Sequence, residues 1–169
     1  ILLDADLRQP KIEKNFGIES AHGMTEVLAG TEDLDTAIRT TDIENLHIIP
    51  CGSIPPNPSE LLGSKKMDEL LRKLEERYDR IIIDTPPVLA VTDAVVLGGK
   101  VDGVIVVVRF GETNRNAVLK TKEILKTIPA TNIIGAVLNM VEALKSGGYH
   151  YYYHYYGRKY GHYGNQGKA

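Results

Sequence analysis

Short apolar runs recur along the chain, each closed by a polar or turn-forming residue, and apolar residues between them repeat at helical spacing. Residues 1–5 form an apolar run that ends in acid, the pattern of a strand buried in a parallel sheet. Residues 46–50, 81–84, 101–108 and 133–138 read as further strands, and the long Val-rich run at 101–108 predicts a sheet covered on both faces. Helices are predicted between them. Residues 23–29 suit a short helix stopped by Gly30, and residues 33–39 a weaker one. Asn57 is placed as an N-cap, with Pro58 at the first helical position and Glu60 closing a capping box. Ser64 caps a second helix whose apolar stripe is Met67, Leu70, Leu71 and Leu74. Thr92 opens a helix to about residue 97, stopped by Gly98 and Gly99, and residues 113–128 form a charged amphipathic helix with Val118, Leu125 and Ile128 on one side. Strands alternating with helices predict an α/β domain, a mainly parallel sheet flanked by helices, over residues 1–141.

At residue 142 both periodicities stop. Eight of the nine tyrosines fall within fifteen residues: Tyr149, Tyr151, Tyr152, Tyr153, Tyr155, Tyr156, Tyr160 and Tyr163, set among glycines and His150, His154 and His162. No core needs tyrosine at that density, so residues 142–169 are expected to be a flexible tail with little order. A phenol is also a chemical handle, a hydroxyl that accepts a phosphoryl group. The same composition suits an inert arm or one that stacks on partners, and the histidines lack the spacing of a structural metal site.

Charge is divided between these parts. The net charge of −2 argues against bulk nucleic-acid binding. No Asp or Glu follows Glu142, so the residues after it carry +4 and the rest −6. A basic arm on an acidic body predicts contact with an acidic surface. Cys51 is the single cysteine, so no internal disulfide exists. No run reaches the ~20 apolar residues of a membrane-spanning helix. The chain opens inside a strand and without Met, from which an upstream part is expected.

Two strands end in acid. Asp4 and Asp6 close the first and Asp84 closes the 81–84 run. Ligands in open α/β sheets bind beyond the carboxyl ends of the strands. A carboxylate held there in a dry setting can fix a hydrated divalent ion against phosphate oxygens. One such Asp is usually a loop cap; the three together point to a magnesium–nucleotide site, their ends lying side by side if the two strands are neighbours. The glycine-rich, lysine-bearing phosphate loop G-x-x-x-x-G-K-[ST] is absent, and so is G-x-G-x-x-G.

Leu2-Leu3-Asp4-Ala5-Asp6-Leu7-Arg8-Gln9-Pro10 resembles the second Walker A motif of the bacterial tyrosine kinases of capsule and exopolysaccharide systems. Ile81-Ile82-Ile83-Asp84-Thr85-Pro86-Pro87 resembles their Walker B motif, and Gly52-Ser53-Ile54-Pro55-Pro56-Asn57-Pro58-Ser59-Glu60-Leu61-Leu62 a loop-and-helix signature of the same family. The tyrosine cluster is similar to their C-terminal acceptor tail. The resemblance implies a P-loop NTPase-like fold, truncated at its N-terminus, whose first Walker A loop lies outside this chain. It implies ATP and Mg2+ as cofactors and Asp4, Asp6 and Asp84 as catalytic acids. Asp4 would take the proton of the incoming tyrosine, while Asp6 and Asp84 would hold the metal. Arg8 and Asn139 are the implied nucleotide contacts. Taken by themselves, an Arg after a strand is a surface residue or the partner of an acid, and an Asn ending a strand is a turn residue. The eight tail tyrosines would be phosphoacceptors.

As partners the resemblance implies further copies of the chain, phosphorylating one another in a homo-oligomer, a transmembrane activator and a cognate tyrosine phosphatase. The implied location is cytoplasmic, at the inner face of the plasma membrane. The expected activity is that of an ATP-dependent protein-tyrosine autokinase. The alternatives are a nucleotide-timed P-loop switch of the division-site or partitioning type and a catalytically inactive interaction module.

Overall fold

The computed structural model describes residues 1–18 and 22–141. The eight tail tyrosines and the rest of the proposed tail lie outside the described residues. The elements run β1 (Leu2–Asp4), α1 (Ile12–Phe16), α2 (Met24–Ala29), α3 (Leu34–Ala37), β2 (Arg39–Thr40), β3 (His47–Ile49), α4 (Pro58–Gly63), α5 (Lys65–Glu75), β4 (Ile82–Asp84), α6 (Asp93–Gly98), β5 (Val104–Arg109), α7 (Arg115–Lys126) and β6 (Ile133–Asn139).

Four strands pair in the order β2-β3-β1-β4. β1 runs parallel to both β3 and β4, so the predicted parallel sheet is present, and β2 closes one edge as a short antiparallel strand. The core lies against this sheet. Leu3, Ala5, Leu7, Ile49, Met24, Leu62, Met67 and Leu74 are all fully buried within it. α5 shows why: Met67, Leu70, Leu71 and Leu74 recur at i, i+3, i+4 and i+7, and all four are buried. Ser64 starts that helix as predicted, its hydroxyl accepting from the Met67 amide at 3.3 Å. Gly30 ends α2 in the left-handed region at φ 82°, where a side chain is strained.

Several expectations give way. Residues 33–39 are only partly helical: α3 stops at Ala37 and Arg39–Thr40 extend into β2. Asn57 occupies the N-cap with Pro58 at N1, yet no capping box forms. The Asn57 amide donates instead to Glu60 Oε2 at 2.8 Å, so the two side chains satisfy one another and not the helix end. Thr92 precedes α6 in helical conformation and its hydroxyl does not cap. Instead it faces Ser59 Oγ at 3.1 Å.

The larger departure concerns β5 and β6. They pair in parallel with each other in a second, two-stranded sheet. α6 joins this unit to the rest, packing on α4 and on α7, and Thr131 Oγ1 donates to the Gly98 carbonyl at 3.1 Å. Burial on both faces, predicted for the Val-rich run, is not found: Val107 is 63% exposed and Ile134 65%. On the other sheet, Ile82 of β4 is 62% exposed. β4 pairs on one side with β1, and among the described residues no strand pairs with its other side.

Leu74 tests the α5 interface. Leu74→Ala removes a fully buried side chain and is expected to cost about 3 kcal/mol, read as a lower urea midpoint at unchanged slope.

Candidate functional site

The parallel pairing of β1 with β4 decides where the acids lie. In register, Leu2 faces Ile82, Leu3 faces Ile83 and Asp4 faces Asp84. The pairing continues one bond further, from the Ala5 amide to the Asp84 carbonyl at 2.9 Å. Two strand-end acids are thus side by side at the carboxyl edge of the sheet, and Asp6 follows two residues later.

The three carboxylates differ in what surrounds them. Asp4 has no exposed surface. Its Oδ1 accepts from the Asp6 amide at 3.2 Å, and its Oδ2 from the amides of Lys11 and Ile12 at 3.2 and 3.1 Å. Burial pushes its pKa up, the three amides pull it down, and neighbouring Asp6 adds to the rise, with a net upward result. Asp4 knots the chain between residues 6 and 12, which explains why α1 starts at Ile12 although the sequence offers no capping residue there.

Asp6 is half-buried. Its Oδ1 accepts from the amides of Arg8 and Gln9 at 3.3 and 3.0 Å, and no described residue donates to Oδ2. Asp84 keeps exposed surface at the end of β4. Its pKa is raised by burial of the carboxyl end against the fold, then by the charges of Asp4 and Asp6. The site therefore concentrates negative charge. Among the described residues no three acid, His or Cys side chains converge into a metal cage. Asp84 and the free oxygen of Asp6 fit an ion that takes only one or two carboxylates and completes its shell with water and phosphate, which is magnesium chemistry.

Arg8 turns away from this edge to meet an acid. Its Nε donates to Asp93 Oδ2 at 2.8 Å and its Nη2 to Asp93 Oδ1 at 3.1 Å. Nη2 also reaches Ser59 Oγ at 3.3 Å, and Ser59 in turn donates to Asp93 Oδ1. Asp93 is fully buried. Burial would raise its pKa, but the hydrogen bonds from Arg8 and Ser59 outweigh it and hold the carboxyl below the ordinary value. Of the two readings of Arg8, the pair with an acid is the one seen. A shallow groove of about 240 Å³ runs beside it, lined by Arg8, Pro56, Asn57, Pro58, Ser59 and Glu60.

Asn139 ends β6 in the second sheet, opposite Arg109. Its Oδ1 accepts from the Met140 amide at 2.8 Å and its carbonyl from the Phe110 amide at 2.9 Å. Met140 has a φ of 57°, so the side chain serves a turn, and no described hydrogen bond or strand pairing joins Asn139 to the three acids. Asp93 and Glu26 are the residues that the sequence reading missed. Glu26 accepts from the Gly23 amide at 2.7 Å, from the Ser53 amide at 3.1 Å and from the Ser53 hydroxyl, which pins the loop entering α4. Gly52 must be glycine there, at φ 77° with the Glu26 carboxylate 2.0 Å from where a Cβ would sit. The Cys51 thiol is buried and pushed up to about 12, chiefly by that burial, which removes it as a nucleophile.

Comparisons with known proteins identify the family and the fold. Residues 1–133 match the AAA domain family. The chain is 40% identical over 152 residues to tyrosine-protein kinase YwqD of Bacillus subtilis, covering 90% of this chain and 64% of that protein. Among solved structures it is similar to the kinase domain of the Escherichia coli tyrosine kinase ETK, at 39% identity and a TM-score of 0.78, over 82% of this chain and 54% of that one. It is also similar to the septum site-determining protein MinD from Pyrococcus horikoshii complexed with Mg-ADP, at 25% identity and a TM-score of 0.65, over 81% and 56% of the two chains. The fold is P-loop NTPase-like, and the chain spans roughly half to two thirds of these relatives.

The acid edge has a signature in pH. Asp4 and Asp84 both have pKa values above the ordinary 3.8 in the folded chain. The folded state thus holds their protons more tightly than the unfolded chain. Stability therefore falls as pH rises through the window above 3.8, and the two charges oppose folding at neutral pH. Asp84→Asn is expected to raise the thermal midpoint at pH 7, with the gain shrinking as pH falls towards 3.8 and absent below it. Calorimetry across that range checks it.

Proposed function

The chain belongs to the bacterial tyrosine-protein kinases within the AAA domain family, and on that premise we propose that it forms the acid-bearing part of an ATP-dependent tyrosine autokinase. The observation that carries the reading is the register of Asp4 with Asp84, which sets three acids on one sheet edge. The same chain holds eight clustered tyrosines as acceptors.

Asp6 and Asp84 would hold magnesium, through water and against the phosphates. Magnesium, when bound, neutralises charge on the phosphate oxygens. The phosphate grip itself would come from a loop not contained in residues 1–169, since the chain has no Gly-rich lysine motif. Phosphoryl transfer is loose, so the acceptor needs orientation more than activation. A tyrosine hydroxyl titrates near ~10 and stays protonated until late in the reaction. The resemblance gives the proton to Asp4. Its oxygens also accept three backbone amides, so Asp4 would in addition hold the turn that carries Asp6.

The acceptors would be Tyr149 to Tyr163 of a neighbouring copy. Each phosphate adds about −1.5 to −2 charges, so a few transfers reverse the +4 of the residues after Glu142. Such a reversal would repel the tail from the acidic body and loosen the assembly. A membrane activator, a cognate phosphatase and work at the inner membrane face in polysaccharide export complete the proposal. Among the described residues no helix is long and apolar enough to cross a membrane.

The full-length protein with ATP and magnesium should develop anti-phosphotyrosine signal. Asp84→Asn should lower it on the order of 100-fold or more. Tyr78→Phe should leave it intact, because that hydroxyl is engaged with His47 Nδ1 at 2.8 Å. ATP hydrolysis without any phosphotyrosine would overturn the autokinase in favour of a nucleotide-timed switch.

A further inference from the structure

Arg8, Ser59, Thr92 and Asp93 form a node that the acid edge does not itself explain. Asp93 is fully buried at the start of α6. Its carboxylate takes the fork of Arg8 at 2.8 and 3.1 Å and the hydroxyl of Ser59. Three separate segments therefore meet on one side chain. Arg8 belongs to the turn that presents Asp6, and the Asp6 carboxylate is itself bonded to the Arg8 amide at 3.3 Å. Asp93 follows the loop that leaves Asp84 at the end of β4. Ser59 is the second residue of α4.

An ion pair of this kind, with the carboxylate buried and the Arg8 side chain partly exposed, is a weak source of net stability, because desolvating the carboxylate offsets much of the attraction. It is a strong source of geometry, because a bidentate guanidinium–carboxylate fork fixes distance and plane together. The Asp6 turn is tied at its inner end by Asp4, which gathers the amides of Asp6, Lys11 and Ile12. At its outer end the side-chain anchor is Arg8 on Asp93.

We propose that Asp93 is a positioning residue that, through Arg8, sets the spacing between Asp6 and Asp84 at the magnesium–phosphate edge. This rests on the reading that those two acids share one ion. Asp93 touches neither the ion nor substrate; it holds the two acid-bearing segments to each other from behind.

The test is Mn2+ titration of the whole 169-residue chain, followed by paramagnetic broadening of the Asp6 and Asp84 amide signals well below the melting temperature. In the unchanged chain both signals broaden at the same Mn2+ concentration. In Asp93→Asn the half-broadening concentration should rise about 10-fold at both, as for loss of an outer support of a metal site, while the dispersed spectrum of a folded protein persists. An unchanged Mn2+ midpoint in folded Asp93→Asn, even with a lower melting temperature, would overturn the inference and leave Asp93 a stability residue. Should Asp93→Asn fail to fold, Arg8→Lys carries the same two outcomes, since it keeps the charge and loses the fork at a side chain that is 40% exposed. Absence of broadening at either acid in the unchanged chain would overturn the shared-ion reading itself, and the positioning role with it.

Discussion

One strand pairing governs this molecule. β1 and β4 run parallel and in register, and because both end in aspartate the pairing makes a negatively charged edge out of two distant stretches of sequence. Everything near the site is arranged around the electrostatic cost of that edge. Burial and mutual repulsion act on Asp4 and Asp84 together; backbone amides offset them at Asp4, and the Thr85 amide and the charge of Lys11 at Asp84. Stability given up at an acidic cluster of this kind is the usual sign that the cluster answers to a ligand.

The acids divide the work by depth. Asp4, at the bottom, spends its hydrogen-bonding capacity on the chain that follows it. Asp6, higher, uses one oxygen for the turn and leaves the other open. Asp84 keeps solvent contact. Arg8 commits its guanidinium fork to Asp93 and thereby has an architectural role there.

How much of this was legible in the sequence follows the range of the interactions involved. An apolar run ending in Asp marks a strand end locally, and Asp4, Asp6 and Asp84 were found that way. The α5 stripe and its Ser64 cap lie within one turn of each other and came through intact. Asp93 escaped notice because an Asp after a Thr at a helix start looks like an ordinary first-turn acid, and its partner Arg8 is 85 positions away. The capping box at Asn57 failed for a related reason: spacing shows that Glu60 is in reach, but not whether it answers the backbone or the Asn57 amide. α1 is five residues with one buried side chain, too little pattern to see. The Val-rich run at residues 101–108 announces a strand, but its burial depends on neighbours that a run of valines cannot specify.

That run bears on how the protein behaves in a tube. Val107, Ile105 and Ile82 present wet aliphatic surface on strands that, among the described residues, have an unpaired side, and open strands are templates for adding further strands. A preparation limited to these residues would be prone to stick to itself, clouding as concentration or ionic strength rises. Colloidal behaviour thereby becomes a cheap gauge of whether the two sheets have been joined into one, since covering those aliphatic flanks would remove the stickiness.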